Sequence, residues 1–110
     1  TDPDWQRDLV SGRRADGRLE WRAVPYLDPA IVGDHKVTWE LSRSQWALRL
    51  AQAWRLTGDA RFAAHAVRLV DAWIAGNPPK RGMNWTSALE LAFRTMAWTL
   101  ALPLLADAPA

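Results

Sequence analysis

Arg43 stands where a charge is hard to place. At about 100° per residue along a helix, it falls on an apolar face between Trp39, Leu50 and Trp54. An unpaired guanidinium buried there is very costly, so it must pair with a carboxylate or reach a polar cavity. Glu40, three residues earlier, is the nearest candidate. Two readings stay open. One is a buried Arg–Glu pair that fixes helix packing. The other is a cleft residue whose flat fork grips a carboxylate, sulfate or phosphate. Glu90 and Arg94 stand four apart, a spacing that usually gives a helix-surface pair worth about 0.3–0.5 kcal/mol. Their neighbours Leu89, Leu91, Phe93, Met96 and Trp98 are apolar, however. A polar stripe on such a helix faces a cavity or a buried partner.

Asn84-Trp85 precedes the same helix. It reads as a cap with a core anchor, or as a helix N-terminus whose free N–H groups face an anion. Lys36 precedes the first long helix and reads as a solvated lysine or as part of the same electrostatics. His35, in the loop leading to that helix, and His65, on a wet helix face, both read as solvated. Tyr26, the single Tyr, is given no catalytic role.

Other chemistries find no footing. Two His and no Cys offer no metal-ligand spacing. There is no Gly-rich phosphate loop and no Ser–His triad signature. Glu40 and Glu90 could in principle be the paired carboxylates of a glycoside hydrolase, but each has an Arg neighbour. Abundant Trp and Arg would suit stacking on single-stranded nucleic acid. Yet the Trp residues recur at core spacing and the net charge is only +2, so no nucleic-acid partner is expected.

Helices must position these groups. Residues 1–38, punctuated by Gly12, Gly17, Pro25, Pro29 and Gly33, read as an irregular arm, with Arg18-Leu19-Glu20-Trp21 as a short extended piece. The first helix is expected from 39 to about 56, with Trp39, Trp46, Ala47, Leu50, Ala53 and Trp54 on one face. Gly58 supplies its C-terminal cap and Asp59 caps the next helix. That second helix, 60 to about 75, is amphipathic. Phe62, Ala63, Ala66, Val67, Leu69, Val70, Trp73 and Ile74 oppose Arg61, His65, Arg68 and Asp71. Gly76-Asn77-Pro78-Pro79 ends it. A third helix is expected from 85 to about 102, capped by Asn84 or by a Ser87/Glu90 capping box and ended or kinked by Pro103. It is apolar around most of its circumference. Leu91, Trp98, Leu102 and Leu105 are therefore expected to lie partly bare, covered in a longer protein by further helices.

Composition bounds the rest. The 110 residues, 49% apolar, suffice for one domain. Twelve of the fourteen basic residues are Arg, and eight Trp are a large excess. Trp suits both cores and sugar-stacking surfaces. Without Cys, disulfides are excluded. No apolar run approaches the roughly 20 residues of a membrane span, so no membrane partner is expected. A start at Thr1 without Met or signal peptide reads as a fragment or processed precursor.

Three segments in order carry a resemblance. They are Lys36 with Trp39-Glu40-Leu41-Ser42-Arg43, then Thr57-Gly58-Asp59 before Arg61-Phe62-Ala63, then Asn77-Pro78, Gly82, Asn84-Trp85, Ser87, Leu89-Glu90, Ala92 and Arg94. From Asp34 to Trp98 the chain resembles the N-terminal helical domain of heparinase II/III-like polysaccharide lyases. The resemblance implies an all-α fold of antiparallel helix hairpins forming part of an (α/α)n toroid: an arm over 1–38, then a three-helix segment over 39–110. It implies an enzyme that cleaves uronate-containing polysaccharide, such as a glycosaminoglycan or alginate-like polymer, by β-elimination; the residues themselves offer no metal motif, and no cofactor is expected. Lys36, Trp39, Glu40, Arg43, Asn84, Trp85, Glu90 and Arg94 become candidate substrate-binding residues lining its cleft. No residue matches the family's Asn-His neutraliser or its Tyr, so none is carried over as catalytic. The remaining toroid and a C-terminal β-sandwich would be partners. A periplasmic or secreted location is implied. The alternative is a non-catalytic helical carbohydrate-binding or interaction module.

Overall fold

A computed structural model describes residues 2–109. The fold is all-α. Five α-helices follow one another: α1 (Pro29–Val32), α2 (His35–Ser42), α3 (Gln45–Thr57), α4 (Ala60–Gly76) and α5 (Ala88–Leu105). Short 3-10 turns cover Trp21–Ala23 and Met83–Trp85. The described residues include no strand, only isolated bridges between Arg7 and Arg14 and between Glu20 and Arg81. Aspartates start three of the helices. The side chains of Asp28, Asp34 and Asp59 accept from the N–H groups of Ala30, Lys36 and Arg61 at 2.9–3.0 Å. Gly58, at φ 70°, closes α3 by donating its N–H to the Trp54 carbonyl, and the α3–α4 hairpin turns there as expected.

The expected single helix from 39 to 56 is two. Ser44 adopts φ 65°, a left-handed conformation, and separates α2 from α3. No Gly or Pro marks this break. Burial and a bond across the break hold it. Ser44 is fully buried, and the Trp46 indole N–H donates to the Leu41 carbonyl at 2.8 Å, taking up an acceptor that a continuous helix would have used. The arm, too, is more ordered than expected. It contains α1, and α2 begins at His35 rather than at residue 39.

The helical core is built on alanine. Ala47 and Ala51 of α3, Ala63 and Ala66 of α4, and Ala101 of α5 meet together with Leu105, with Trp46, Leu50, Trp54, Val70 and Trp98 packed around them. Small contact residues let helix axes approach closely, and the indoles fill the flanks. A second cluster of Ala15, Val24, Val32 and Met83, flanked by Leu19, Tyr26 and Trp39, fastens the arm to the turn before α5.

Helix α5 runs through Pro103 to Leu105 instead of ending near 102. Proline near the last turn removes one backbone bond, and its exposed position leaves the freed carbonyl to solvent. The bare residues differ in part from expectation. Leu105 is buried and Leu91 and Trp98 are half-covered, whereas Leu89, Met96, Leu100 and Leu102 are each more than half exposed. By length and hydropathy alone α5 could cross a membrane, with 18 residues at mean hydropathy 1.3. That qualifies the expectation of no membrane-length run. Glu90 and Arg94, both buried in polar contacts to other elements, mark α5 as a packing helix.

Candidate functional site

The break at Ser44 turns the C-terminus of α2 toward α5. Arg43 Nε and Nη2 donate to the two oxygens of Glu90 at 2.8 and 2.9 Å, a bidentate fork. Arg43 Nη1 reaches Glu40 at 3.2 Å, and the guanidinium lies over the Phe93 ring, 4.7 Å from its centroid. Glu90 is 2% exposed and Arg43 25%. Arg43 is therefore paired as expected but not inaccessible. Its hydrogen bonds to Glu90 hold its pKa above the ordinary value, against the opposing effect of burial.

Arg94 does not pair with Glu90, its neighbour four residues back. It is buried, with its guanidinium 4.1 Å from the Trp73 ring and 5.5 Å from that of Trp85. Its nitrogens donate to the carbonyls of Asn84 at 3.1 Å and Ser42 at 3.4 Å. Burial pushes its pKa down to about 10, while the charge of Glu90 opposes that shift. The cation is held by carbonyl dipoles and aromatic faces.

Asn84 is not a helix cap. It is buried, and its Nδ2 donates to the Trp5 carbonyl at 2.9 Å and to Asn77 Oδ1 at 2.8 Å. Gln6 completes this knot. Its Nε2 donates to the same Asn77 oxygen at 2.9 Å and its Oε1 accepts from the Met83 N–H at 2.8 Å. Ser87 is the N-cap of α5 but makes no side-chain cap bond, so the Ser87/Glu90 capping box is absent. Glu90 has turned to Arg43 instead.

Trp39 is half-buried and donates its indole N–H to the Met83 carbonyl at 3.1 Å. His35 is not a loop residue. It opens α2 with its ring edge-on to Trp39, 4.6 Å between centroids, and Tyr26 lies 5.7 Å from the same indole. His65 stays on the exposed face of α4. Lys36 and Glu40 are exposed and line an open groove of about 520 Å³ along α2 with Leu41, Gln45, Trp46 and Leu9.

The candidate residues thus fall into linked groups. Glu40, Arg43 and Glu90 form one; Asn84, Trp85 and Arg94 form another. The carbonyls of Ser42 and Asn84 join them through Arg94. Lys36 stands apart on the groove. Gln6, Trp73 and Asn77 escaped notice as members of the site. The sequence marks Asn77 as a helix terminator and Trp73 as a core residue, and nothing local marks Gln6.

A family model described as Heparinase II/III N-terminus matches residues 4–105. The chain belongs to this heparinase II/III family. It is 30% identical to a heparin-sulfate lyase of Bacteroides thetaiotaomicron over 83 residues, covering 74% of the chain and 11% of that protein. It is also 30% identical to a heparin-sulfate lyase of Bacteroides stercoris over 60 residues, covering 54% of the chain and 8% of that protein. The chain thus spans about a tenth of the length of these heparinase relatives. No solved structure matches it at a comparable level. The residues that carried the resemblance, from Lys36 to Arg94, lie inside the matched heparinase II/III region.

Proposed function

We propose that this chain is the N-terminal helical segment of a lyase that cleaves uronate-containing acidic polysaccharide by β-elimination. The observation that carries the reading is the family match over residues 4–105, joined to two relatives named heparin-sulfate lyase. In such an elimination a base removes the C5 proton of the uronate and the bond from C4 to the bridging oxygen breaks. A C4–C5 double bond forms, and an acid protonates the leaving oxygen. The uronate carboxylate must be neutralised for C5–H to become acidic.

This segment supplies cleft walls to that chemistry. Glu40 and Glu90 are committed to Arg43, and the rings of His35 and Tyr26 pack on Trp39. The reading assigns the base, acid and neutraliser to the remaining toroid and a β-sandwich domain, and these contacts support it. Lys36, Trp39, Glu40 and the outward edge of Arg43 face the polymer. Asn84, Glu90 and Arg94 hold that wall from beneath, and Trp85 borders a second groove.

The test compares the 110-residue chain with a longer protein that continues through the following helices and domain. Each is incubated with heparan sulfate, hyaluronan and alginate, and the ultraviolet absorbance of the unsaturated product is followed. The longer protein should generate product from one of the three and the short chain from none. A longer protein inactive on all three polymers would overturn the lyase reading. Activity in the short chain would overturn the placement of the catalytic groups.

A further inference from the structure

We propose that a second groove, between the Trp21 turn and the start of α5, is a stacking subsite for an anionic sugar residue. Trp21 and Trp85 are its walls and Lys80 its counter-charge. The proposal rests on the acidic-polysaccharide reading above. The groove has a volume of about 310 Å³ and is lined by Trp21, Lys80, Trp85, Thr86, Ala88 and Leu91. That is the lower end of the roughly 300–1,000 Å³ typical of small-ligand sites, with room for a sugar ring and its substituents.

The walls are held in place from both sides. The Trp21 N–H donates to the Lys80 carbonyl at 2.8 Å, and the Gly82 N–H to the Leu19 carbonyl at 2.8 Å. Arg81 Nη1 donates to the Arg18 carbonyl at 2.7 Å. These bonds zip the segment around Glu20 to the segment around Arg81. Lys80 adopts φ 64°, the left-handed region that a lysine seldom takes, and the zipped turn fixes it there. Trp85 is fixed from below by the Arg94 guanidinium over its ring and by Trp73, whose ring centroid lies 6.0 Å away. Both groove indoles are only half-covered. Their flat apolar faces suit the C–H face of a pyranose, and an indole loses little freedom on contact.

Charge selects an anion. Glu20 is engaged by Arg22 and Asp16 by Arg18, while among the described residues Lys80 has no carboxylate within ion-pair distance. Arg22, paired with Glu20, stacks 5.2 Å from the Trp21 centroid and steadies that indole. The start of α5, where the Ser87 side chain makes no cap bond, lines the same groove through Ala88 and Leu91. A carboxylate or sulfate on a sugar ring meets both requirements, stacking and neutralisation. A neutral sugar meets only the first.

The experiment titrates the 110-residue chain with a heparan sulfate tetrasaccharide and with neutral maltotetraose, by calorimetry at low and at physiological salt. Lys80→Asn keeps a residue that tolerates the left-handed turn, and Trp21→Leu keeps apolar bulk. Arg49→Gln, at an exposed position of α3 outside the groove, removes a charge elsewhere and should leave the affinity unchanged; thermal melting confirms that each variant folds. Trp21→Leu should weaken the acidic tetrasaccharide roughly tenfold, the loss of one aromatic platform. Lys80→Asn should weaken it about fivefold at low salt and reduce the salt dependence. Lys80→Asn and Trp21→Leu binding the acidic tetrasaccharide as tightly as wild type would overturn the groove and leave the lyase reading standing. Equal affinity for maltotetraose would overturn the anionic assignment. A wild-type chain that binds no acidic tetrasaccharide would overturn the subsite, while product formation by the longer protein judges the lyase reading separately.

Discussion

Arg43 and Glu90, 47 residues apart in sequence, are joined by two parallel hydrogen bonds of 2.8 and 2.9 Å. This fork is the direct polar tie between the side chains of α2 and α5, and it exists because the chain breaks at Ser44. Without the break, Arg43 would point along the α3 face among Leu50 and Trp54.

Arg43→Ala should leave Glu90 buried and unpaired and should destabilise the fold by about 3 kcal/mol, the lower end for a broken buried pair. The double variant Arg43→Met with Glu90→Leu should recover most of that loss. Urea denaturation measures both. A single-variant loss below about 0.5 kcal/mol would show that the fork contributes nothing beyond an exposed pair.

Arg94→Lys should cost about 2 kcal/mol despite the conserved charge. An ammonium cannot lie flat between two indoles while donating to the carbonyls of Ser42 and Asn84. Equal melting temperatures for the two proteins would refute a role for the planar group.

Asp8 links stability to acid. The Ser11 hydroxyl, then the N–H of Asp34 and those of Val10 and Ser11, hold its carboxyl at about 2, below the usual 3.8. A depressed folded-state pKa means that the unfolded chain takes up the proton first as pH falls. The contribution of Asp8 is therefore fully present above about pH 4 and is lost as pH falls through about 2. Asp8→Asn should melt lower than wild type at pH 6, and the difference should shrink towards pH 2. A difference that is constant with pH would exclude the linkage.

One face of α5 exposes Leu89, Met96 and Leu100 together. Patches of this kind on a small domain favour association. The 110-residue chain should sediment as a concentration-dependent oligomer, and Met96→Gln with Leu100→Gln should shift it towards monomer. Monomeric wild type that binds no hydrophobic dye would show that the face needs no cover.

Much of this fold was legible because its signals are local. Gly58-Asp59 ends one helix and caps the next within two residues. The wet face of α4, from Arg61 to Asp71, follows from spacing alone. What escaped depends on groups far apart in sequence. Nothing in Ser42-Arg43-Ser44 announces a left-handed residue; Ser44 is buried beside the Ser42 carbonyl, which accepts from Arg94 across 52 residues. Asn84 looks like a cap because its position before a helix is local information. Its actual partners, Trp5 and Asn77, lie 79 and 7 residues away. Glu90 and Arg94 have the right spacing to pair, yet each finds a better partner on another element. The candidate site was thus legible as a set of residues and illegible as a wiring diagram.

Gln6 bonds to Asn77 and Met83 across 71 and 77 residues. During synthesis at about 5–20 residues per second, the arm waits roughly 4 to 15 s for those partners to be made. The Gln6 amide lacks its two partners for that whole interval, while Trp46, against which the Trp5 ring packs, is made earlier. Gln6 is in this way among the last of the described residues to find its partners, and its docking reports that the turn before α5 has formed.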